Sequence, residues 1–172
     1  KSFEDVFWNG THLNDWVSTK ETNKRLSIDG NALAILFDII EPEKQLKILQ
    51  TIDEKNMITP AGLKLIDQDY HWKHIYSPFF LIGLKDYHNG LFWLWVSCIS
   101  CIAFIKNNQL NNGMRILNAI TNIINKHQTV YEIYDEKGNP IKRTFYKSEE
   151  GFAWSAGLFV WAYETLFSSE SK

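Results

Sequence analysis

Cysteine is scarce in this sequence. Only Cys98 and Cys101 occur, as one C-x-x-C. Two cysteines do not make a disulfide scaffold. With no second pair and no suitably spaced histidine, they do not make a zinc site either, and no metal is expected. The motif sits inside an apolar run with helical character, so it reads as core packing and not as redox chemistry. Surplus charge is also lacking: the formal net charge is -2. Without a basic excess, neither nucleic acid nor an anionic membrane is expected as a partner. The longest apolar run, Leu91 to Ile105, is short of the roughly 20 residues a bilayer needs and has no basic flank. A helix apolar all round belongs to the centre of a large fold. The chain opens on Lys1, without Met and without a signal-peptide pattern. Both facts fit a fragment whose natural N-terminus is missing, with a cytoplasmic location as the expectation.

Large side chains are abundant. A hydrophobic share of 45% over 172 residues implies a folded domain with a real core. The 7 Trp, 7 Tyr and 11 Phe first of all build that core. They also suit a carbohydrate site, because the apolar C–H faces of a sugar lie well on flat rings while its hydroxyls need polar edges.

Helical periodicity appears over residues 31–40, 42–52, 90–106, 109–126 and 152–167. Asp29-Gly30 is a plausible capping segment for the first, and Pro42 suits the first position of the second. A further helix over part of 3–17 is weakened by Gly10 and mixed polarity. Segments 31–40, 90–106 and 152–167 look buried on most faces, whereas 42–52 and 109–126 are amphipathic. Links from buried to amphipathic helices are short, and those from amphipathic to buried helices are long, roughly 53–89 and 127–151. If the two kinds form inner and outer layers, the inner helices run parallel. Their N-termini and both long loops then share one rim, where a site belongs. Residues 131–147 read as a hairpin-like excursion turning at Glu136-Lys137-Gly138-Asn139-Pro140.

Four clusters fall on that rim: Asp29-Gly30-Asn31-Ala32-Leu33; Tyr87-His88-Asn89-Gly90 followed by Phe92-Trp93; Tyr131-Glu132-Ile133-Tyr134; and Gly151-Phe152-Ala153-Trp154-Ser155-Ala156-Gly157. Each has a plain structural reading. Asp29 and Asn89 could be helix caps, His88 a satisfied structural histidine, Glu132 a surface carboxylate, and Trp154 the start of a helix. In this order and spacing the clusters resemble the C-terminal half of the six-hairpin glycosidase superfamily. That superfamily includes amylo-alpha-1,6-glucosidase (glycogen debranching), neutral invertase and bacterial alpha-glucosidases related to processing glucosidase. The resemblance runs from about Asp29 to Ala162 and does not choose among these members; residues 1–28 fit less distinctly.

What the resemblance implies is an all-α fold, part of an (α/α)6 toroid, with the whole chain as the C-terminal part of one catalytic domain. It further implies inverting hydrolysis of an alpha-glucosidic or related bond in an oligosaccharide or disaccharide, without cofactor. The general base of the family maps onto Glu132. Substrate contacts are expected from Asp29, Asn31, Tyr87, His88, Asn89, Trp93, Tyr134 and Trp154, with Trp93 and Trp154 nearest the rim and Trp95 in the core. No motif matches the catalytic acid; Asp15 before Trp16 is the nearest lookalike. The acid is therefore expected in a missing N-terminal part of the same enzyme, which leaves the isolated chain inactive. A non-catalytic carbohydrate-binding or scaffold remnant of the same fold is the alternative.

Overall fold

Three strongly apolar segments of the chain become helices that lie side by side. In the computed structural model, which describes residues 2–169, these are α2 (Ile28–Leu36), α5 (Leu94–Lys106) and α7 (Ala153–Ser169). The fold is all-α, with only two-residue antiparallel strand pairs beside the helices. Helix α5 packs against both α2 and α7 and buries nearly its whole circumference, from Leu94 to Ile105. Among the described residues no helix is long and apolar enough to cross a membrane.

The amphipathic segments become α3 (Pro42–Glu54) and α6 (Leu110–His127). Helix α6 lays Ile116, Leu117, Ile120 and Ile123 into the core and packs on α5. Burying one such side chain is worth roughly 1.5–3 kcal/mol, so this stripe decides which face turns inward. Gly113 lets the two helices approach: a Cβ there would stand 2.8 Å from Ile105 Cγ1. Cys101 lies in the same contact, its thiol donating to the Gly113 carbonyl at 3.3 Å. Burial pushes its pKa up to about 12 and raises that of Cys98 as well, so both act as small core side chains.

Several elements depart from the periodicity. The first apolar helix starts at Ile28 and stops at Leu36, because Asp38 takes a positive φ of 51°. Only Phe3–Phe7 of the 3–17 stretch is helical; this is α1, opened by a capping box from Ser2 and Asp5, and the stretch ends in β1 (Trp16–Val17), which pairs with β2 (Thr22–Asn23). Helix α5 begins four residues later than expected. Phe92–Trp93 instead form β5, which pairs with β6 (Ile133–Tyr134). The 131–147 excursion is not one hairpin. Its return arm folds on itself as β7 (Lys142–Arg143) and β8 (Tyr146–Lys147). The first long link holds β3 (Ile58–Thr59), β4 (Gly62–Leu63) and α4 (Ser77–Leu81). Helix α7 is not buried on most faces: Trp154, Val160, Trp161, Tyr163 and Phe167 stay exposed.

The shared rim is real, and backbone hydrogen bonds stitch it. The Ile28 N–H at the start of α2 donates to the Leu65 carbonyl. The strand leading into α5 pairs with 133–134. Phe152, just before α7, donates to the Val130 carbonyl, and Tyr131 bridges to Glu150. Both long loops thus close on inner-helix N-termini, and the clusters they carry meet there.

Candidate active site

The β5–β6 pairing brings Glu132 beside the loop that precedes α5. Its backbone N–H donates to the Glu149 carbonyl at 2.9 Å, and the following residue is tied to Ser148. The carboxylate itself is half-buried. Tyr87 donates its hydroxyl to Oε1 at 2.5 Å, and Tyr146 donates its own to Oε2. Burial, then the bond to this carboxylate, raises the pKa of both phenols, so they remain donors at neutral pH.

Tyr87 is the hub of an aromatic cluster. Its ring meets His88, Trp93, Tyr146 and Phe79 edge to face, at centroid distances of 4.8–5.8 Å. Trp93 donates its indole N–H to the Tyr87 carbonyl at 2.9 Å. The His88 ring lies flat on Trp93, 5.1 Å between centroids and 2° between planes, and is exposed. Its apolar surroundings lower its pKa, against the opposing pull of Asp29 and Glu132. A neutral imidazole with its edge open can donate and accept at once, as a sugar hydroxyl requires.

A second group of polar residues lies across from this cluster. Ser27 donates to Asp29 at 2.6 Å, and Tyr70 donates to Asp15 at 2.7 Å. Burial raises the Asp15 carboxyl above its usual range, although the bond from Tyr70 opposes it. Asp15, Asp29, Ser27 and Asn14 line a cleft of about 360 Å³ walled by Phe3, Phe7 and Leu33. Asn89 connects the two groups: its side-chain oxygen accepts from the Tyr70 N–H at 2.5 Å. It does not cap α5, whose N-cap is Trp93. Nor does Asp29 cap α2, because the helix already starts at Ile28. Among the described residues no group of three or more His, Cys, Asp and Glu could hold a metal ion.

The residues expected from the sequence therefore divide. Glu132, Tyr87, His88, Asn89 and Asp29 gather around the rim. Asn31 lies at the wall of the cleft that Asp29 lines, but its side chain is engaged with the backbone. It is 2% exposed, donates to the Leu13 and Ser27 carbonyls and accepts from the Leu13 N–H. Tyr134 is 1% exposed, and its hydroxyl accepts from the Tyr131 N–H. It braces the loop from inside. Trp93 is buried behind His88, and Trp95 is half-buried rather than core. Trp154 is exposed and meets Trp95 edge to face at 6.3 Å. Tyr146 is the residue that sequence reasoning missed. It lies fourteen positions beyond Glu132, outside every motif, and only the fold of the 141–147 segment returns it to the carboxylate.

Residues 1–162 match the model of a protein family described as amylo-alpha-1,6-glucosidase. No curated protein matches the chain.

Proposed function

Because the chain belongs to the amylo-alpha-1,6-glucosidase family, and so is a glycosidase-related domain, we propose that Glu132 is the general base of a glycoside hydrolase that opens alpha-glucosidic bonds with inversion. The observation that carries this reading is the Glu132 carboxylate on the rim. Each of its oxygens accepts one phenolic O–H, beside an exposed imidazole. A carboxylate has about four acceptor positions, so each oxygen keeps one free for a water proton. An inverting site needs such a carboxylate on one side of the sugar ring and a carboxylic acid on the other.

Substrate contacts fall to His88, Tyr87, Asn89, Asp29 and the exposed Trp154, with Asn31, Tyr134 and Trp93 supporting them from behind. The ligand is an oligosaccharide or disaccharide. The acid comes from another part of the same enzyme. Asp15 has a raised pKa, but its carboxylate is taken up by the Tyr70 hydroxyl in the cleft it shares with Asp29. The exposed apolar residues of α7 are what further helices of that enzyme would cover. Glu132→Gln keeps shape and hydrogen bonding but cannot take the proton. In the intact enzyme turnover should fall on the order of 10²–10⁴-fold, with substrate binding kept. The isolated 172-residue chain should hydrolyse nothing. Wild-type turnover in Glu132→Gln would reduce Glu132 to a loop carboxylate.

A further inference from the structure

We propose that the β7–β8 hairpin is a positioning device for Glu132, with Tyr146 and Arg143 as its working residues; the idea rests on the reading of Glu132 as the base. The terminal torsion of a glutamate is soft and roughly two-fold, so the backbone alone does not fix the carboxylate plane. Here two donors fix it from separate parts of the chain: Tyr87 from the loop before α5 and Tyr146 from the hairpin. Hydrogen bonds to an ionised acceptor are about twice as strong as neutral ones, so each phenol holds its oxygen firmly.

The two phenols can hold one carboxylate only if their loops keep a fixed separation. A second contact between the same two loops enforces it. Arg143, three residues before Tyr146, grips Asp86, the neighbour of Tyr87, with both guanidinium nitrogens, at 2.5 and 2.6 Å. It also donates to the Gly83 carbonyl. This pair is half-buried, and its two-point geometry sets orientation as well as distance. Arg143 thus gives its hydrogen bonds to Asp86 and Gly83 and acts on Glu132 through both tyrosines. The carboxylate is aimed by a frame with three ties: Tyr87, Tyr146 and the Arg143–Asp86 clamp.

The test separates aim from fold. The intact enzyme is labelled at the glutamate side-chain carboxyl carbon, and the Glu132 signal is identified by its loss in Glu132→Gln. Tyr146→Phe removes one O–H and little else. Arg143→Lys keeps the charge but cannot bridge both Asp86 oxygens. Both variants should move or broaden the Glu132 signal and leave the other glutamate signals in place. Signals that superimpose on wild type in both variants would overturn the proposal. In the intact enzyme both variants should lose about tenfold in kcat with KM nearly constant, since small misplacements of a reacting group are costly. Full turnover in Glu132→Gln would overturn the base reading and the hairpin's purpose together. Wild-type kcat in Tyr146→Phe and Arg143→Lys, beside a disabled Glu132→Gln, would overturn the hairpin alone.

Discussion

Replacing Ser148 by Ala should destabilise the protein far more than one lost hydroxyl suggests. Ser148 is 1% exposed. Its hydroxyl accepts from the Ile133 N–H at 3.0 Å and donates to the Ile133 carbonyl at 2.9 Å. Ile133 lies opposite Trp93 in the β5–β6 pair, and Ser148 holds both of its backbone groups from the other side. Alanine would strip both of these buried groups of their Ser148 partner. Each group that loses its partner costs about 1–3 kcal/mol, so the sum is about 2–6 kcal/mol. At this chain length that lowers Tm by roughly 4–24 °C. Ser100 supplies the control. It is equally buried, but its hydroxyl donates to the Val96 carbonyl, which the α5 ladder already satisfies. Ser100→Ala should cost under about 1 kcal/mol. Urea unfolding followed by circular dichroism, with thermal melts of the same samples, measures both. Equal losses in the two variants would refute the reasoning, because the difference rests entirely on which backbone groups are orphaned.

Two further outcomes follow from the same structure. Gly62→Ala should cost about 2 kcal/mol or more in the same urea assay, because φ is +104° and the new Cβ would lie 2.7 Å from Ser97 Oγ, the atom that accepts from the Leu63 N–H. Asp86 titrates below its usual range: burial pushes it up, but the bonds and charge of Arg143 outweigh that. Its folded pKa is depressed, so its stabilising contribution is complete above about pH 4 and disappears as pH falls through the folded value. Asp86→Asn should therefore flatten the acid side of a stability-against-pH curve, and an unchanged acid limb would exclude the clamp as a source of that stability.

Much of this architecture was legible in the sequence because it depends on local periodicity. Apolar residues nearly all round 90–106 and a single stripe along 109–126 separate a central helix from a covering one without reference to any partner. The alternation of short and long links then predicts a common rim, and the loop carrying Glu132 does close on the strand before α5. The limits of helices were less legible. Phe92 and Trp93 look helical by composition, but their strand pairing depends on residues about forty positions away. The exposed face of α7 is equally invisible, since an apolar residue does not declare which neighbour covers it.

Side-chain direction decided the remaining assignments. By type and place, Asn31, Tyr134 and Trp93 are as eligible for a sugar site as His88. Periodicity determined the helical class and the placing of the long loops on one rim, and the order of the four motifs carried the family resemblance that singled out Glu132. Only the tertiary structure turned Asn31 and Tyr134 inward to satisfy buried backbone groups, set Trp93 behind His88, and brought Tyr146 and Arg143 back to Glu132 and Asp86. The physical reason is that periodicity comes from repeating backbone geometry, which each short segment carries itself. The partner of a hydrogen-bonding side chain is whichever group the fold brings within about 3 Å, and Arg143 and Asp86 lie 57 positions apart.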